Sequence, residues 1–189
     1  MTQSAISAAP TPLCELPAAA LRVVAPFAGS DDGLDHVSIV PGDDDGQVVV
    51  TAASGTIGAE IVCEGQATAA IMLPVRALRM ALCRLKAEHA SVVLSDDHLA
   101  TLRLYEQSAT LAVSMPLADA ERPVRLPVFP AGEQVADLRL NGAVLAKASA
   151  KLAAFGVLTV RTFELGWLLS GEADGLQLRC VIAGVRRDE

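Results

Sequence analysis

The sequence predicts an α+β fold of antiparallel sheets, arranged as three units that each hold a strand, one helix and three further strands. Two observations predict the class. Short β-branched runs with alternating apolar positions recur between turn signals rich in Gly, Asp and Pro. Each set of runs is preceded by a stretch whose apolar residues repeat at helical spacing. Apolar residues make up 52% of the 189, and aromatics only 3%, so the core is aliphatic. One helix per unit covers one face of a small antiparallel sheet, a layered arrangement.

The first unit opens with a helix over 16–27, with Pro17 in its first turn and Pro26 at its end. Strands follow over 36–40, 47–52 and 56–64. In the last of these Ile57, Ala59, Ile61 and Cys63 share one face. The second unit has a strand over 70–73 and a helix from Pro74 to His89. Val75, Leu78, Leu82 and Leu85 form the apolar stripe of that helix. Strands over 91–94, 99–104 and 108–115 complete the unit. The third has a strand over 137–140, a helix over 142–155 capped by Asn141 and ended by Gly156, and strands over 157–162, 165–170 and 175–182.

The domain plan is a flexible tail over 1–12, a two-unit domain over 13–116, a proline-rich connector over 117–131 and a third unit over 132–189. No signal peptide or membrane-length apolar run is expected, which places the chain in the cytoplasm without a membrane partner. The four cysteines are widely spaced and there are three histidines, so no metal site and no cofactor are expected. Asp43 to Asp45, and Asp96-Asp97-His98, read as solvated turns, and Trp167 as a packed strand residue. No nucleophile elbow, phosphate-binding loop or dinucleotide motif is present, so no enzyme activity is expected.

Net charge is −7, which disfavours a grip on DNA by the whole surface. The positive charge is segregated. The predicted helices carry Arg22, then Arg76, Arg79, Arg84 and Lys86, then Lys147 and Lys151, with no acidic residue before Glu88. Lys147 and Lys151 are four apart and share a face. Cations on three helices at equivalent places point to sequence-independent contact with phosphates.

Several segments resemble the bacterial DNA polymerase III beta sliding clamp family. ALRVVAPFAGSDDGLDHVSIVPGDDDGQVVVTAASGTIGAE resembles the opening of a clamp domain. IMLPVRALRMALCRLKAEHASVVLSDDHLATLRL resembles its second, proline-led unit. VRLPVFPAGEQVADLRLNGAVL resembles the linker to the next domain, and LTVRTFELGWLLSGEADGLQLRCVIAGVR the C-terminal end. The chain departs from the family at two places. Ala53-Ser54-Gly55-Thr56-Ile57 stands where the family has Thr-Asp-Gly-His-Arg, and Ala183-Gly184-Val185-Arg186 where it has a Met-Pro tail. It also holds half the units of a family chain.

The resemblance implies the DNA-clamp fold and a processivity factor. Such a protein encircles duplex DNA and tethers a DNA polymerase, a repair enzyme or another clamp-binding protein. It implies that the helices face the DNA. It implies a peptide-binding groove near Val128, Phe129, Pro130, Val185 and Arg186. Three units per chain imply a homo-oligomer, a dimer or a tetramer. The alternative reading is a clamp-like interaction module that binds a clamp or clamp partners without encircling DNA.

Overall fold

A computed structural model describes residues 12–30, 34–94, 99–118, 122–126, 141–163 and 166–184. The first unit runs β1 (Cys14–Pro17), α1 (Ala18–Val24) with a 3-10 turn (Ala25–Phe27), β2 (His36–Pro41), β3 (Gln47–Ala53) and β4 (Ile57–Glu64). A short β5 (Gln66–Ala67) leads to the second unit: β6 (Ile71–Pro74), α2 (Val75–Leu82), β7 (His89–Leu94), β8 (Leu99–Glu106) and β9 (Ala109–Pro116). The third unit runs α3 (Gly142–Leu152) with a 3-10 turn (Ala153–Phe155), β10 (Thr159–Phe163), β11 (Gly166–Ala173) and β12 (Leu176–Ala183). Residues 1–11 of the expected 1–12 tail, the strand over 137–140, the turn Asp96-Asp97-His98 and connector residues 127–131 lie outside the described residues.

The strands form two antiparallel sheets, the expected α+β class. One is five-stranded, in the order β5-β1-β7-β8-β9. The other is seven-stranded, in the order β10-β11-β12-β4-β3-β2-β6. Two kinds of joint connect the units. In the first, units one and two swap their leading strands. β1 pairs with β7 and β6 pairs with β2, so Pro17 lies opposite His89 and Pro74 opposite His36. In the second, the last strands of two units lie side by side: β12 pairs with β4 from Leu176↔Cys63 to Ile182↔Ile57.

The swap corrects two expectations. Residues 14–17 are strand, because Pro17 is extended (φ −60°, ψ 128°) and helix begins only at Ala18. The helix expected over 74–89 ends at Leu82. Its continuation is prevented because the backbone beyond it is engaged elsewhere. The Arg22 guanidinium donates to the Leu85 and Ala87 carbonyls, and Glu88 N–H donates to Tyr105 O. Val75 and Leu78 are buried as the stripe required, joined by Ala81, while Leu82 and Leu85 are half-buried.

Apolar rows cross the seven-stranded sheet on its core face. Ile71, Ile39, Val50, Ile61 and Leu178 stand in register, all buried. The row ends at Gly171, where a side chain would meet Leu158 and Phe155, so the third unit's 3-10 turn sits directly on the strand. On the opposite face the row Met72, Ser38, Thr51, Glu60, Arg179, Ser170, Thr159 is largely polar, with Glu60 and Arg179 3.5 Å apart across the joint between units one and three. Buried Ser38 is satisfied by the connector, whose Val124 N–H donates to Ser38 Oγ at 2.7 Å.

Two buried chemistries generate predictions. Burial pushes the thiols of Cys14 and Cys180 up to about 12 and that of Cys63 up to about 11, whereas Cys83 is exposed. One thiol of the four should therefore react rapidly with Ellman's reagent at pH 8, and Cys83→Ser should remove that phase. His36 is fully buried, and neither ring nitrogen has a hydrogen-bond partner among the described residues. Burial lowers its pKa below the ordinary 6.5, against a weaker upward pull from Asp35. The folded state thus binds fewer protons than the unfolded state. The stability this group confers is present above pH 6.5 and lost as pH falls below it. Urea melts of His36→Val between pH 7 and 5 should show a shallower loss of stability than the parent chain.

Candidate nucleic-acid interface

Helices α1 and α2 begin where β1 and β6 end, and their N-termini show how units one and two depend on each other. Pro17 and Pro74 precede α1 and α2 and offer no side-chain cap. The other unit supplies the missing acceptor. Ala18 N–H donates to Glu88 O and Val75 N–H to Asp35 O, both at 2.9 Å. Helix α3 caps itself: the Asn141 side chain accepts from Ala143 and Val144 N–H, as expected.

Arg22 and Arg79 stand five residues after these prolines and reach across in the same reciprocal way. Arg22 donates to Leu85 O (2.8 Å) and Ala87 O (2.7 Å), behind α2. Arg79 donates to Ala25 O (2.7 Å) and Ala28 O (3.2 Å), behind α1. In α3 the same place holds Ala146. Lys151 instead donates to Pro26 O and lies 4.7 Å over the Phe27 ring. Desolvation, with Lys147 and Arg79 nearby, lowers its pKa to about 8.

The seven cations assigned to DNA therefore divide. Arg22, Arg79 and Lys151 have their hydrogen-bonding heads on backbone carbonyls. Arg76, Arg84, Lys86 and Lys147 are exposed and make no hydrogen bond or ion pair with described residues. Arg84 and Lys86 sit beyond the end of α2 rather than on it. A cleft of about 840 Å³ gathers contributions from all three helices. Arg22, Arg79, Cys83 and Lys147 line it together with Gly29 and Ser54, and no carboxylate does among the described residues. Three positive charges thus converge on one opening in an acidic chain.

The residues expected to bind a partner, Val128, Phe129, Pro130, Val185 and Arg186, lie outside the described residues. Their described neighbours abut the start of β4. Leu126 is buried against Gly58, where an added side chain would displace it, Val181 pairs with Gly58, and Ala183 N–H donates to Thr56 O. Sequence reasoning missed the arginine staples and the swap. Their signal was a repeat: Leu-Pro-x-x-Ala-Leu-Arg at Leu16 and Leu73, followed by His-x-Ser-Ile/Val-Val at His36 and His89.

Leading strands swapped within a pair of units, helices on the sheets, and last strands joined between pairs define the sliding-clamp fold. Solved clamps share it. The Helicobacter pylori beta clamp bound to a DNA ligase peptide matches with a TM-score of 0.68 at 13% identity, over 94% of this chain and 67% of that one. The Thermotoga maritima DNA polymerase III beta subunit matches with 0.59 at 13%, over 92% and 64%. Proliferating cellular nuclear antigen from Entamoeba histolytica matches with 0.56 at 12%, over 93% and its full length. This chain spans about two thirds of the bacterial clamps it resembles. No family model matches it, and no curated protein matches it in sequence. No helix among the described residues is long and apolar enough to cross a membrane.

The staples make a measurable distinction between cations. Arg22→Ala and Arg79→Ala each strand carbonyls behind a helix and should destabilise by about 1–3 kcal/mol. Arg76→Ala and Arg84→Ala should stay within about 0.5 kcal/mol of the parent chain. Equilibrium urea denaturation at neutral pH reads the difference.

Proposed function

We propose that this protein is a clamp-like scaffold that encircles duplex DNA and tethers a polymerase or other DNA enzyme to it. One observation carries the reading. Three helices converge on a cleft lined by Arg22, Arg79 and Lys147, with no carboxylate among its described lining residues, while the chain as a whole carries −7. Such segregation attracts a polyanion to one side of an otherwise repellent molecule. Arg22 and Arg79 keep their charge while bonded to carbonyls, so they contribute potential. Arg76, Arg84, Lys86 and Lys147 are the groups free to meet phosphates directly. Contacts of this kind hold register on the backbone without reading bases, and a loose hold permits sliding. No catalytic group takes part.

For the tethered partner we propose a different surface. The connector and the end of β12 both reach the start of β4, which supports a peptide groove formed by their continuations, Val128 to Pro130 and Val185-Arg186. The match to a clamp solved with a DNA ligase peptide supports a peptide ligand. A second reading, a module that docks on another clamp without encircling DNA, is supported by β9 and β10 standing last in their sheets among the described residues.

Retention on DNA separates the two readings. The protein should remain on a closed circular duplex at moderate salt and leave once the circle is linearised. Equal retention on both forms would reject encirclement, and retention on neither would favour the docking module. The combined variant Arg76→Ala, Lys86→Ala, Lys147→Ala should weaken association and flatten its dependence on salt, roughly in proportion to the phosphates no longer neutralised, with no change in sequence preference.

A further inference from the structure

Units one and two repeat the same places on the sheet faces that point away from the core. In unit one Pro74 pairs with His36 and Met72 with Ser38; in unit two Pro17 pairs with His89 and Glu15 with Ser91. The connector lies across this face of unit one. Ala118 N–H donates to Met72 O, Val124 N–H donates to Ser38 Oγ, and Leu126 packs on Gly58. His36 and Ser38 are fully buried there.

The equivalent face of unit two is a cleft of about 390 Å³, lined by Glu15, Pro17, Glu64, His89, Ser91 and Tyr105. His89 is exposed where His36 is not. Ser91 has the Tyr105 hydroxyl at 3.1 Å where Ser38 has a backbone N–H from the connector. A serine oxygen has two lone pairs, so that contact leaves room for a second donor. Gly65 shapes the rim: a side chain there would come within 2.5 Å of Glu15 O, so its absence lets the turn after β4 lie on β1. Glu64 is thereby set on the same opening as Glu15. A further opening of about 520 Å³ continues from these two carboxylates to Asp45. Among the described residues no lysine or arginine lines either opening, and neither glutamate has an ion-pair partner.

We infer that the cleft of unit two is a docking site for a basic, non-helical segment of a partner protein, held as the connector is held on unit one. The floor is the same in both units, a histidine and a serine two apart on the strand after the helix. The rim differs by its charge, and Glu15, Glu64 and Asp45 select a segment with lysine or arginine. The segment that unit one accepts, Arg122-Pro-Val-Arg-Leu126, is of this kind: it is non-helical and bears two exposed arginines. The termini of this chain do not fit the cleft. Residues 1–12 contain no lysine or arginine. β12 ends beside Thr56, at the opposite end of β4 from Glu64. A second copy is an acidic chain of net charge −7 and is repelled by an acidic rim. The site needs neither DNA nor the groove proposed at Val128 to Pro130, so its failure and theirs are separable.

Nuclear magnetic resonance on the full chain tests it, because Tyr105 is the single tyrosine and Trp167, in unit three, the single tryptophan. The probe is the acetylated, amidated peptide Arg-Pro-Val-Arg-Leu. At neutral pH and low salt it should shift the Tyr105 ring signals saturably and leave the Trp167 indole signal in place. The same peptide with glutamate for both arginines should leave Tyr105 unmoved, a reading that does not depend on a variant folding. Glu15→Gln combined with Glu64→Gln, both at exposed positions, should raise Kd at least about fivefold and flatten its dependence on salt. The proposal is overturned by the absence of a saturable Tyr105 shift up to about 5 mM peptide. A shift of Trp167 in place of Tyr105 overturns it too, since the peptide then sits on another surface. So does equal binding of the glutamate peptide, or an unchanged Kd in the folded double variant.

Discussion

The reciprocal swap of β1 and β6 is the constraint on which the structure depends. Because each leading strand lies in the other unit's sheet, neither unit has a complete sheet by itself. The backbone that a helix would leave unsatisfied is answered from across the swap: Glu88 O caps α1 and Asp35 O caps α2. Proline is tolerated at both starts for this reason, since it needs no side-chain cap and holds the extended geometry of a strand end. The same symmetry sets the lengths of the helices. Arg22 takes the carbonyls behind α2 and Arg79 those behind α1, so each helix stops where the other unit's guanidinium begins.

The positive charge of the helices serves two purposes that composition alone cannot separate. Part-buried guanidinium–carbonyl bonds hold units together, and the same groups keep positive charge at the cleft. Lys151 is the extreme case: it is desolvated, crowded by Lys147 and Arg79, and directed at a carbonyl. The exposed cations are shorter of partners and less fixed in geometry. For the scaffold proposed above that division is useful, because potential at a distance attracts a polyanion while few rigid donors grip it.

Local physics was legible in the sequence wherever a strand or cap is decided by its own residues. Ile57, Ala59, Ile61 and Cys63 alternate and all are buried. Asn141 caps α3 because its side-chain oxygen reaches N–H groups two and three residues on. What was not legible depends on partners distant in the chain. Cys14 to Pro17 carries too few residues to declare itself a strand, and its pairing with β5 and β7 makes it one. Residues 83–88 have helical composition, and only Arg22, Tyr105 and Ala18 take them out of the helix. The seven cations were identified by type and position, but which of them hold carbonyls could not be read without the fold. The connector looked like a free spacer by its prolines, yet Ser38 and Gly58 receive Val124 and Leu126 on the sheet.

The pairing of β4 with β12 has a consequence for synthesis. β4 reaches its full length early in translation, but its outer neighbour is the last of the described strands to leave the ribosome. Through that interval a long, apolar strand edge stands unpaired on a nascent chain. Closing it requires a loop of most of the protein, and contacts so distant in sequence form slowly. The interval is one in which a chaperone, or a neighbouring chain on the same polysome, competes with β12 for β4.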